Sequence, residues 1–227
     1  ALPDGLAPED LLLNVDRIGA DIQIRRCVAK RNRARGFLIQ TRDAAIEDCV
    51  FDHCSMSALL LCAGPGGESG GARDVTIRRN RFIGVNTVIQ RDPLCEAAVV
   101  VYAGRKGQGL PPAGVFSGIT IEDNVFEGTD YAAIGLASTD GALIRRNRIS
   151  GSNRRAENPF RAQRPDLPPA GQAAIFVTQC RNVKIEGNTV DEKGMAPGTR
   201  PIVVGPGCED GSVVIETRKQ DGKEQGR

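Results

Sequence analysis

Tryptophan is absent from this chain of 227 residues, tyrosine occurs twice and histidine once. A nucleic-acid-binding face wants basic charge interleaved with stacking rings. Aromatics make up 4 % and the net charge is +2, so no nucleic-acid partner is expected. No stretch approaches the roughly eighteen uninterrupted apolar residues of a spanning helix, so no membrane partner is expected either.

Metal and nucleophile signatures are equally thin. The seven cysteines are odd in number and contain no Cys-x-x-Cys pair. Cys27 and Cys49 share one position of a repeat described below, which brings a disulfide within geometric reach; two small buried thiols are the plainer reading. His53 stands beside Cys54 and Ser55. A Cys–His couple needs a third orienting group and a geometry that neighbours in a turn rarely reach, so His53 reads as a surface residue. No dense aspartate cluster offers a calcium site. No metal and no cofactor are expected.

Helical periodicity is missing too. A βαβ fold would place helical patterns of about ten or more residues between strands, and a leucine-rich repeat would show dense leucines. Neither is present. What the chain has is one phrase written six times: Ile, a charged residue, one further position, then Asn or Cys. It reads Ile24-Arg25-Arg26-Cys27, Ile46-Glu47-Asp48-Cys49, Ile77-Arg78-Arg79-Asn80, Ile121-Glu122-Asp123-Asn124, Ile144-Arg145-Arg146-Asn147 and Ile185-Glu186-Gly187-Asn188. The sign of the charge after the Ile alternates from copy to copy, as expected of copies that touch.

Two residues before each Ile stands Ile22, Ala44, Val75, Ile119, Ala142 or Val183, the period-two signal of a strand. The Asn or Cys falls where that strand must turn. Asn tolerates left-handed backbone, and stacked copies can share amide hydrogen bonds along a ladder. Two positions on, Phe51, Phe82, Phe126, Ile149 and Val190 return to the core. A second, apolar strand follows in each unit, near 37–40, 58–62, 98–102, 133–137, 174–178 and 202–205. The shortest copies recur every 22 or 23 residues. That length fits one coil of a single-stranded, right-handed parallel β-helix, an all-β solenoid of about six or seven coils. The solenoid is expected over residues 1–216, with a polar, disordered tail at 217–227.

Neighbouring coils lie about 4.8 Å apart, so Arg25, Glu47, Arg78, Glu122, Arg145 and Glu186 should form one outward column of ion pairs. That column accounts for most of the repeat's charge. Asp21, Asp43, Asp74 and Asn182, each three before a phrase Ile, read as recurrent turn residues. Chemistry is then confined to insertions, at 63–72, 87–97, 104–117, 152–172 and 193–200. They should crowd one side and wall a groove suited to an extended polymer.

Hydrolysis of a glycosidic bond needs two carboxyl groups flanking it, about 5–9.5 Å apart. Asp92 and Glu96 share one insertion beside a strand ending in Tyr102, which would give the site a stacking ring. These two are the candidate catalytic residues. Gln40, Glu68, Tyr102 and Arg105 are the candidate substrate-binding residues.

Two stretches carry a more specific signal: Arg31-Asn32-Arg33-Ala34-Arg35-Gly36-Phe37-Leu38-Ile39, and Glu68-Ser69-Gly70-Gly71-Ala72-Arg73-Asp74-Val75-Thr76-Ile77 one coil later. With Asp48 and Phe51 between them, they resemble the β-helix of glycoside hydrolase family 110, the bacterial α-1,3-galactosidases, over roughly residues 15–86. The resemblance implies inverting hydrolysis of terminal α-linked galactose by acidic residues on the helix face. It also implies acidic residues just after the second strand of the coil before Glu68, where Cys62, Ala63 and Gly64 stand. Two readings stay open: a glycoside hydrolase acting on an oligo- or polysaccharide, and a glycan-binding or structural module without catalytic carboxylates. A trimeric adhesin would want apolar outer faces, whereas these are charged, so a monomer is expected. A secreted or periplasmic setting suits a glycan partner.

Overall fold

The structure is a computed structural model that describes residues 14, 18–63, 70–88, 96–104, 109–155 and 173–216. Asp92, Glu68 and Arg105 lie outside the described residues, as do most of the first 17 residues and the tail from 217.

Among the described residues the chain winds through six coils of three strands each. The first holds β1 (Gln23–Arg25), β2 (Val28–Lys30) and β3 (Phe37–Ile39); the second holds β4 (Arg42–Glu47), β5 (Val50–Asp52) and β6 (Leu59–Ala63). The third is β7 (Arg73–Arg78), β8 (Arg81–Ile83) and β9 (Ala97–Ala103), and the fourth β10 (Phe116–Glu122), β11 (Val125–Glu127) and β12 (Ala132–Ala137). The fifth is β13 (Thr139–Arg145), β14 (Arg148–Ser150) and β15 (Ala173–Thr178), and the sixth β16 (Arg181–Glu186), β17 (Thr189–Asp191) and β18 (Arg200–Val204). A seventh coil opens with β19 (Val213–Glu216).

Corresponding strands stack in parallel into three sheets. Sheet A has seven strands from β1 to β19, sheet B six from β2 to β17, and sheet C six from β3 to β18. The phrase sets the register of sheet A: Ile24, Ile46, Ile77, Ile121, Ile144, Ile185 and Ile215 are successive partners.

The spacing predicts two strands per coil; the structure has three. The additional strand, in sheet B, is only three residues long and surrounds each returning Phe, Ile or Val. Its inward Phe51, Phe82 and Phe126 form a stack, with ring centroids 5.0 and 4.6 Å apart, and Phe37 meets Phe51 edge-on. Every residue of β9, β12 and β15 is buried, so these strands are covered on both faces, which explains their uninterrupted apolar character.

The turn from sheet A to sheet B is always two residues, and its hydrogen bonding explains why. Asn80, Asn124 and Asn147 lie inside the turn, buried. Their Nδ2 groups donate to the carbonyls of Ile46, Ile77 and Ile121 in the preceding coil at 2.8–2.9 Å. Their Oδ1 atoms accept the backbone N–H of Cys49, Asn80 and Asn124 at 2.9–3.1 Å. Asn188 closes the ladder in the same way on Asn147 and Ile144. With the Asn committed inward, the left-handed backbone falls one residue earlier than the sequence suggests, at Arg26, Asp48, Arg79, Asp123 and Arg146. Such residues face water and lose about 1–2 kcal/mol to this conformation, which the ladder offsets.

Cys27 and Cys49 replace Asn at the first two turns. They are free thiols, as are all the described cysteines. Cys49 Sγ donates to the Glu47 carbonyl at 3.2 Å. His53 takes the left-handed position after β5 and pairs with Asp52 on the exposed surface, so its role is local.

Candidate functional site

The long insertions connect sheet B to sheet C or sheet C to sheet A, and much of their length lies outside the described residues. Sheet C has two ends at which the candidate residues can be placed, a leading end where its strands begin and a trailing end where they finish.

At the leading end, Glu96 immediately precedes β9 and is fully buried. Its carbonyl accepts the Ala132 N–H at 3.1 Å, and Ala97 pairs with Ala132, so Glu96 and Tyr131 are neighbours across adjacent coils. Burial pushes the Tyr131 phenol up, and the negative charge of Glu96 adds to that, with Arg155 opposing. Asp130 is held by two guanidinium groups, Arg154 at 2.7 Å and Arg155 at 2.9 Å. The next coil continues this polar corner: Asn153 donates its N–H to the Tyr131 carbonyl at 2.9 Å. Among the described residues, the Ser152 hydroxyl and both side-chain polar atoms of Asn153 are buried without a hydrogen-bond partner. Among the described residues the Tyr131 hydroxyl is likewise buried without a hydrogen-bond partner, while Asp130 is committed to its two arginines.

At the trailing end, Gln40 donates to the Cys62 carbonyl at 3.4 Å, and Cys62 pairs in register with Tyr102. Tyr102 is buried in an apolar cluster on the outside of sheet C, with Cys62, Val100, Phe176 and Leu110. The structure thus brings Gln40 and Tyr102 into one column, two coils apart. It does not bring Tyr102 to Glu96. They stand at opposite ends of β9, six residues or about 20 Å apart. One sugar ring cannot touch both.

A third feature lies on sheet A. An open groove of about 480 Å³ runs along its outer face, lined by Asp74, Thr76, Gly118, Thr120, Gly141 and Leu143. Asp74 has the left-handed backbone expected of a turn residue. Its carboxylate also leans over the next coil, where a Cβ on Gly118 would come within 2.3 Å of Oδ1. Reading Asp74 as a turn residue alone misses this second role. The available signal is that Gly118 and Gly141 replace Asp or Asn in a column that holds them elsewhere. Thr76 and Thr120 pair in register and present hydroxyls beside it. Among the described residues no group of three or more His, Cys, Asp or Glu side chains could hold a metal ion.

A family model described as a right-handed beta helix region matches residues 67–197, more than half of the chain and a span that contains Glu96, Tyr102 and the groove. The chain belongs to the right-handed β-helix family. Curated relatives of this β-helix bear one activity in their names. It is 39 % identical over 127 residues to alpha-1,3-galactosidase B of Bacteroides fragilis, covering 53 % of this chain and 21 % of that protein. To alpha-1,3-galactosidase A of Bacteroides fragilis it is 33 % identical over 192 residues, covering 81 % of this chain and 29 % of the relative. To alpha-1,3-galactosidase B of Akkermansia muciniphila it is 28 % identical over 192 residues, covering 83 % and 22 %. The similarity extends well beyond the two stretches that suggest it in the sequence. The β-helix spans between 21 and 29 % of the length of these three relatives.

Proposed function

We propose that this β-helix is a glycoside hydrolase-like, carbohydrate-active protein whose substrate class is α-linked galactosides. The observation that carries the reading is its similarity to alpha-1,3-galactosidases, at 33 % identity across 81 % of the chain. In this reading Asp92 and Glu96 are the carboxyl pair, and Gln40, Glu68, Tyr102 and Arg105 contact the glycan. The separation of Glu96 from Tyr102 then requires an oligosaccharide laid along sheet C, with different residues of the sugar chain at the two ends.

The test is hydrolysis of α-1,3-linked galactosides by the full chain and by Glu96→Gln and Asp92→Asn. Loss of either carboxyl should lower kcat by roughly 10²-fold or more, with KM little changed. Rates equal to the parent in both variants would end the assignment of these residues.

A second reading is a glycan-binding module without hydrolytic activity. The burial of Glu96 favours it, since a proton donor must reach its substrate, and so does the open groove on sheet A, lined by both polar and apolar side chains. Here calorimetry with an α-galactoside oligosaccharide should show binding, without turnover, that survives Glu96→Gln and weakens about tenfold in Asp74→Asn. Turnover by the parent chain would sink this alternative.

A further inference from the structure

The turn between β18 and β19 runs alongside the residues that follow β15. Gly205 donates its N–H to the Val177 carbonyl at 2.7 Å, Gln179 to Pro206 at 3.0 Å, and the Thr178 hydroxyl to Pro206 at 2.9 Å. The Gln179 side chain lies directly over Gly207, where a Cβ would come within 2.2 Å of it. These contacts bring the thiols of Cys180 and Cys208 into hydrogen-bond contact. The coil spacing of about 4.8 Å falls inside the Cα separation a disulfide needs, roughly 4.4–6.8 Å. Cys180 is fully buried and donates to the Thr178 carbonyl at 3.0 Å, whereas Cys208 is half-buried.

The pair is chemically unequal. Contact with Cys180 brings the Cys208 thiol down to about 7, and the same contact together with burial pushes Cys180 up. The thiolate therefore sits on the more accessible sulfur, the arrangement suited to thiol–disulfide exchange. Two charged side chains flank the pair in sequence: Glu209 in the same turn, and Arg181, which is ion-paired with Asp140 at 2.8 Å. Cys27 and Cys49 provide an internal contrast. They too sit on adjacent coils, and there burial pushes the Cys49 thiol up.

We propose that Cys208 and Cys180 form a redox-active dithiol that is oxidised by small-molecule disulfides of the glutathione type. The Cys208 thiolate attacks one sulfur of the small disulfide, whose S–S bond breaks and releases one small thiolate. Cys180 then loses its proton to solvent and attacks the Cys208 sulfur, releasing the second. Two protein thiols are oxidised to one disulfide and the small disulfide is reduced to two thiols. The new bond spans 28 residues (208 − 180) and fastens the sixth coil, with β16, β17 and β18 inside the loop.

The experiment equilibrates the full chain with mixtures of reduced and oxidised glutathione, quenches with acid, and maps every cysteine by peptide mass spectrometry. The Cys180–Cys208 link should form at a ratio at least roughly tenfold more reducing than any Cys27–Cys49 link, and Cys208→Ser should abolish it. In parallel, the pH midpoint of Cys208 alkylation should rise from about 7 in the parent towards the ordinary value near 8.5 in Cys180→Ala. Reduced Cys180 and Cys208 in mixtures that already link Cys27 to Cys49 would overturn the proposal. So would a glutathione adduct on Cys208 that is never resolved, or an alkylation midpoint that Cys180→Ala leaves in place.

Discussion

An asparagine side chain brings two donors and one acceptor into the turn, and the ladder uses all three. Asn124 donates to the Ile77 carbonyl and to Asn147, and accepts the N–H groups of Asn80 from its backbone and its side chain. Removing it leaves buried partners in two coils unmet, each costing about 1–3 kcal/mol. Asn124→Ala should therefore destabilise the chain by about 2–4 kcal/mol, read as a lower urea midpoint. Loss below roughly 0.5 kcal/mol would mean the ladder is dispensable. The position of these asparagines is legible in the sequence because it is periodic. The left-handed residue just before each is not, because Arg26, Asp48 and Arg79 carry no conformational mark that separates them from any exposed charge. Glu96 teaches the same lesson at the site. It reads as a loop carboxylate, and only its alignment with Tyr131 from the next coil shows that it is buried.

Between elements, sheet A is held by the alternating column. Glu47, with its side chain 5 % exposed, accepts Arg25 at 3.0 Å from one coil and Arg78 at 2.7 Å from the next. Glu122 accepts Arg145 at 2.7 Å and Arg146 at 3.0 Å. A second column follows one residue on, where Arg79 grips Asp48 and Arg146 grips Asp123. The hydrogen bond from each arginine is the main reason these two aspartates ionise below the usual carboxylate range. Asp140 and Glu186 are held low in the same way by Arg181 and Lys184. A carboxylate whose value is depressed in the folded state adds stability above its unfolded value, and loses it as pH falls through the folded one. The urea midpoint should thus stay level from about pH 7 to 5 and fall below about pH 4. Salt near 1 M should blunt that fall, because the pairs are exposed. A midpoint unchanged at about pH 3 would contradict it. Sheet A is readable in the sequence because five of its seven strands are six or seven residues long with a fixed phrase. Sheet B is not, because a three-residue strand is too short to show a period of two.

At the scale of the molecule, the core is one continuous column from Ile39 to Ile185. The exposed large apolar side chains gather mostly at its two ends, Ile22, Val28 and Leu38 in the first coil and Val204, Val214 and Ile215 in the last two. Regular stacking leaves little to distinguish one coil from another, since any Ile fits any Ile. What differs is sign. The charge column works as a parity check on coil order: a strand that skips one coil meets its own charge, and one that skips two does not. The only like pair in the described column is Glu186 against Glu216, and Lys184 bridges both, at 2.8 and 3.2 Å. Excising residues 123–145 would set Glu122 against Glu186, whereas excising 79–145 would set Arg78 against Glu186. Glu186→Arg should then raise the melting temperature of the shorter deletion and lower that of the longer one, each change worth the roughly 0.2–1 kcal/mol of a single cross-strand pair. If the substitution moves both deletions in the same direction, sign carries no ordering information, and the coils are told apart only by the loops between them.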